Sequence, residues 1–88
     1  GQELARGKPD PLPYLEGLRL LGGEARRSVA FEDSPSGMQA ALGAGLALVG
    51  MTTNLDGPTV LGHGAGVAVR DFTDPAVREF VMERLRAA

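Results

Sequence analysis

Cysteine is absent from the 88 residues. That excludes a disulfide framework and any thiolate metal site, and it fits a reducing compartment, so the expected location is the cytoplasm. No apolar run approaches the roughly 18 residues of a membrane span, and no signal peptide is visible, so no membrane partner is expected. Nine basic residues stand against eleven acidic ones, for a net charge of -2. The basic residues are scattered, and the one dense group, Arg78 with Arg84 and Arg86, falls on an expected C-terminal helix; nothing there makes a nucleic-acid footprint. Histidine occurs once, in Gly62-His63-Gly64. With no second ligand at metal spacing it reads as a loop residue. Gly37, Gly43 and Gly45 do not form a phosphate loop of the Walker or dinucleotide type, and close helix-to-sheet packing accounts for them. Ser34 and Ser36 have no histidine base near them in sequence, and helix N-capping accounts for Ser36.

What is present is a soluble, globular composition, 43% apolar and 23% charged, sufficient for one small domain of marginal stability. Residues 1–11 are polar and punctuated by proline, a loop that delivers Lys8. Asp10 as N-cap and Pro11 in the first turn open a helix through Leu12, Leu15, Leu18 and Leu21, which Gly22-Gly23 stop. Ser28 to Phe31 and Leu46 to Met51 are continuous apolar runs, the mark of strands buried on both faces of a parallel sheet. Between them, Met38 to Ala44 is an alanine-rich helix. Thr52-Thr53-Asn54 stand at the carboxyl end of the second strand. A short helix around Thr59 to Leu61, a third strand Val67 to Val69, and a last helix capped by Asp74 with an apolar stripe of Val77, Phe80, Val81 and Leu85 complete the chain. Strands alternating with helices predict a layered α/β fold with a parallel sheet.

Two segments carry chemistry. Gly7-Lys8-Pro9-Asp10-Pro11 brings one cation, and Phe31-Glu32-Asp33-Ser34-Pro35-Ser36-Gly37 brings adjacent carboxylates to the carboxyl end of a buried strand, where open α/β sheets bind ligands. Hard carboxylate oxygens suit Mg2+, which takes one or two of them and fills its shell with water and substrate phosphate. A lysine ammonium neutralises charge on a transferring phosphoryl group. Taken singly, a Glu-Asp pair at a strand end is usually a solvated turn or a cap, and Gly-Lys-Pro an exposed loop. Their order along one β/α unit favours function, because two carboxylates beside a packed core repel and need a cation to relieve them.

These segments, with Ala40-Ala41, Ala44-Gly45 and the closing Asp71-Phe72-Thr73-Asp74-Pro75, resemble the third and fourth motifs of the haloacid dehalogenase (HAD) superfamily of phosphotransferases. Within it they are most similar to the β-phosphoglucomutase-like and sugar-phosphatase branch. The resemblance implies a three-layer, Rossmann-like core in which an aspartate attacks a phosphate monoester, with water or a sugar hydroxyl resolving the aspartyl-phosphate. It implies that Lys8 steadies the nucleophile and phosphoryl oxygens, that Asp33 is a Mg2+ ligand, that Glu32 coordinates or orients the metal shell, and that Ser34 supports the phosphate side of it. The family's Asp-x-Asp, its second-motif Ser/Thr and its cap have no counterpart among residues 1–88. The chain therefore resembles the C-terminal half of the core.

Three expectations follow. The partners are a small phosphorylated metabolite and the upstream half of the same core domain. A strand at Val29 to Phe31 without its neighbour would leave an apolar edge, so residues 1–88 alone would be unstable and catalytically silent. The competing reading from a different class is a non-catalytic α/β module that binds phosphate or metal. A mutase of the β-phosphoglucomutase type, in place of a hydrolase, is the competing enzyme.

Overall fold

A computed structural model of the chain describes residues 10–86. The elements run α1 (Leu12–Leu21), a 3-10 turn (Ala25–Arg27), β1 (Val29–Glu32), α2 (Pro35–Gly43), β2 (Ala47–Met51), α3 (Gly57–Gly62), β3 (Val67–Val69) and α4 (Pro75–Arg86). Apolar and β-branched runs make the three strands, which pair in parallel in the order β1-β2-β3. Glu32 stands beside Gly50, and Gly50 beside Ala68. Parallel neighbours need crossovers, and α2 and α3 supply them.

Period-two alternation along the strands splits the core in two. Ala30 and Leu48 face α2 and α3, joining Met38, Ala41, Val60 and Ala65, with Tyr14 and Leu18 of α1 packed alongside. Val49, Met51 and Val69 face the other way, with Val29, Val67 and, from α4, Ala76, Val77 and Phe80. The result is the expected three-layer α/β arrangement: α1, α2 and α3 on one face, α4 on the other.

Several boundaries moved for identifiable reasons. Pro11 rather than Asp10 takes the N-cap position of α1, with Asp10 Oδ1 one residue earlier accepting from the Leu12 N–H at 2.8 Å, and Gly22 at φ 71 ends the helix. The inward face is nevertheless Tyr14 and Leu18, one turn apart, while Leu15 is 44% exposed. Three-residue steps drift around a 3.6-residue helix, so the leucine series does not stay on one side. Helix α2 starts at Pro35, three residues earlier than Met38, because Ser34 rather than Ser36 is its cap: Ser34 Oγ accepts from the Gly37 N–H at 3.1 Å. Strand β1 extends to include Glu32. On α4, Asp74 accepts from the Ala76 N–H at 2.9 Å, but Leu85, expected in the stripe, is exposed.

Helix α3 is longer than the expected Thr59 to Leu61 because Asp56 caps it, accepting from the Thr59 N–H at 2.8 Å. Hydrogen bonds from Thr59 hold the Asp56 carboxyl below its ordinary value. A depressed carboxylate contributes stability that is present above its unfolded value and is lost as pH falls through the folded one. Acid titration of stability below about pH 4 should therefore be shallower in Asp56→Asn, which still caps but cannot ionise. An unchanged acid slope would exclude this contribution.

Gly50 lies under α3, where a Cβ would sit 2.0 Å from Val60 Cγ1 and 3.0 Å from the Ala65 Cβ. Both neighbours are buried. Gly50→Ala should cost about 1–3 kcal/mol by overpacking, read as a lower urea midpoint; an unchanged midpoint would show that α3 yields freely.

At the opposite end of the sheet from the carboxylates, Arg84 of α4 donates from Nη2 to the carbonyls of Ala25 and Gly45, each at 2.9 Å. Among the described residues β1 pairs on one side only, with β2. Within that set β1 is an edge strand, in which Ala30 is buried and Phe31, 38% exposed, meets Phe72 edge-to-face at 5.3 Å. No helix among these residues is long and apolar enough to cross a membrane.

Candidate functional site

The carboxyl ends of the three strands gather Glu32 and Asp33 from β1, Thr52, Thr53 and Asn54 from β2, and Arg70 and Asp71 from β3. Asp33 lies one residue beyond its strand and is exposed. Its Oδ2 accepts from Thr53 Oγ1 at 3.2 Å and sits 3.5 Å from Asn54 Nδ2. Parallel pairing makes this contact, since Asp33 and Thr53 both leave adjacent strands at the same edge. Thr52 ties β2 to β3 through its N–H, 2.8 Å from the Val69 carbonyl. Thr52, Thr53, Arg70 and Asp71 line a polar cleft of ≈ 530 Å³ beside it. A larger groove of ≈ 700 Å³ runs between α4 and the start of β3, away from these carboxylates.

Glu32 turns to the opposite layer. The last residue of β1 shares its face with Ala30, so its side chain is directed at α1 and α2, where the Tyr14 hydroxyl donates to Glu32 Oε2. Burial first, then the hydrogen bond and negative charge of Glu32, push the Tyr14 phenol well above its ordinary value, so the phenol stays protonated and donates. The two adjacent carboxylates thus answer to different elements: Glu32 to α1, Asp33 to the loop after β2.

Of the residues singled out from sequence, Glu32, Asp33 and Ser34 are together at one strand-to-helix turn, with Ser34 engaged as the α2 cap. Lys8 lies outside the described residues. His63 is an exposed residue ending α3. Sequence reasoning placed Thr53 and Asn54 at the strand end without a role, and counted Tyr14 only within the Pro13-Tyr14-Leu15 stretch of the family resemblance, also without a role. The helical phase that turns Tyr14 inward is the signal that could have found it.

The donors suit Mg2+ chemically: carboxylate, hydroxyl and amide oxygens are hard ligands. Among the described residues no group of three or more His, Cys, Asp or Glu could hold a metal by itself. An ion held here would have to draw most of its shell from elsewhere, as Mg2+ does.

A parallel sheet covered by helices on both faces is a Rossmann-like α/β arrangement, a class of fold in which ligands bind beyond the carboxyl ends of the strands. No family model matches the chain. It is 38% identical over 72 residues to validoxylamine A 7'-phosphate phosphatase of Streptomyces hygroscopicus subsp. limoneus, covering 82% of this chain and 33% of that protein. The solved structure of a HAD hydrolase of family IA, variant 3, from Entamoeba histolytica superposes with a TM-score of 0.80 at 29% identity, over 92% of this chain and 36% of that one. A HAD family hydrolase from Deinococcus radiodurans, solved with bound phosphate and sodium, gives 0.72 at 30% identity over 90% and 36%. The chain is thus a homologue of HAD-family sugar phosphatases and β-phosphoglucomutase-like proteins. It spans about a third of the length of the curated relatives it matches, consistent with a C-terminal part of the core domain.

Proposed function

We propose that the protein carrying this chain is a cytoplasmic, Mg2+-dependent phosphatase of small phosphorylated metabolites, with sugar phosphates as the substrate class. The observation that carries this reading is the Asp33 carboxylate held by Thr53 and Asn54 at the carboxyl edge of the sheet, in a chain whose relatives include phosphatases named for 2-deoxyglucose 6-phosphate and hexitols.

In this reading Asp33 and Glu32 are the residues that would hold Mg2+. When bound, the ion supplies positive charge against the phosphate oxygens. Asp33 is exposed and kept in place through Oδ2 by the Thr53 hydroxyl. Ser34 spends an acceptor lone pair on the Gly37 N–H and keeps its own proton for a phosphate oxygen. Lys8 would neutralise the transferring group.

The nucleophile would be an aspartate of an upstream half, on a strand adding to the free edge of β1. Its carboxylate oxygen bonds to phosphorus as the bond to the sugar oxygen breaks and that oxygen takes a proton from an acid. Water then displaces the aspartate, giving inorganic phosphate. Residues 1–88 alone would carry out neither step.

The likeness to β-phosphoglucomutase-like structures favours one second reading, in which a sugar hydroxyl replaces water as acceptor. Incubating the full native protein with sugar phosphates, with Mg2+ or with a chelator, tests both. Chelator-sensitive release of inorganic phosphate supports the phosphatase, and conversion of one sugar phosphate to its isomer supports the mutase. Neither change would overturn both and leave a binding module.

A further inference from the structure

We infer that Tyr14 is a positioning residue for metal binding, acting through Glu32. The inference rests on the reading of Glu32 and Asp33 as the Mg2+ pair and extends it to an element that supplies no ligand. Glu32 is bracketed on both oxygens. The Tyr14 hydroxyl, half-buried on α1 and packed against the first core cluster, donates to Oε2. On the other side, Oε1 lies 2.0 Å from where a Cβ on residue 37 would be, so the carboxylate occupies the space that Gly37 leaves open at the first turn of α2.

A glutamate at a strand end has several rotamers within reach, and fixing one costs side-chain entropy. The bracket selects one rotamer before any ion arrives, and the selection is made by a rigid aromatic ring whose own position is set by core packing. Helix α1 therefore controls how half of the carboxylate pair is presented. Partners that orient ligands in this way typically account for about 10–100-fold in metal affinity.

The test is Mg2+ titration calorimetry, without substrate, on the full native protein and two variants. Tyr14→Phe keeps the ring and its packing and removes only the hydroxyl. Leu18→Ala loosens the same helix against the same core and leaves the Tyr14 hydroxyl in place. The expected result is Mg2+ binding about tenfold weaker in Tyr14→Phe, with affinity retained in folded Leu18→Ala despite a lower melting temperature. Wild-type affinity in Tyr14→Phe overturns the positioning role and leaves the phosphatase reading intact. Equal weakening in Leu18→Ala overturns it too, because the effect would then come from helix packing. No Mg2+ binding by the unsubstituted protein removes the metal reading and this inference with it.

Discussion

Asp33→Asn in the full native protein is expected to lower Mg2+-dependent phosphate release by about 10²–10³-fold, the equivalent of several kcal/mol of lost charge stabilisation. The substitution is close to isosteric. Asn keeps an oxygen that can accept from Thr53 and Asn54, the two groups that hold Asp33 now. What it loses is charge, and its amide nitrogen brings N–H donors where a cation needs an acceptor. Asp33 is exposed, so stability should change by no more than about 0.5 kcal/mol. The loss would then be one of chemistry and metal affinity in a folded protein. Steady-state turnover at saturating and limiting Mg2+, with a thermal melt beside it, checks both halves. Full turnover by the variant would remove Asp33 from the site.

The second large effect is structural. Met38→Ala should destabilise the fold by about 2–5 kcal/mol, the range for emptying a long side chain from a packed core. Met38 has no exposed surface, and it lies among Ala30, Ala41, Leu48 and Val60 where α2 meets the sheet. Small residues surround it: Ala40, Ala41 and Ala44 bring the helix close to the strands, leaving Met38 as the one long apolar side chain α2 buries. None of those alanines can extend to fill the space. Set against a total stability of about 5–15 kcal/mol for an ordinary domain, the loss is a large share. Urea unfolding of the full native protein measures it, and a change under about 1 kcal/mol would mean that α2 collapses onto the sheet far more readily than its alanines permit. The same helix carries the Ser34 cap and Gly37, so a shift of α2 should also disturb Glu32.

Much of the architecture was legible because buried parallel strands advertise themselves. Ala47 to Met51 has no polar interruption, and only burial on both faces explains that; Val67 to Val69 was placed to the residue. Caps were less legible where two candidates competed, as with Ser34 and Ser36: both precede a helical stretch, and only the Pro35 backbone, free to begin the helix at once, decides between them. Asp56 was passed over because glycine and proline around it read as loop, although proline is at home in a first turn. The carboxylate pair was visible as adjacent residues. Their division of labour was not, because adjacency in a strand means opposite faces, and what waits on each face is decided by elements that lie 18 residues before Glu32 and 20 after Asp33.

Arg84 gives the fold an order in time. Its guanidinium closes on Ala25 and Gly45, 59 and 39 residues earlier, on the segments that lead into β1 and β2. Contacts at such separation form late, once loop closure is offset by packing. During synthesis, β1, α2 and β2 would leave the ribosome with their entrances still untied, and those entrances would be clamped together only when α4 arrives.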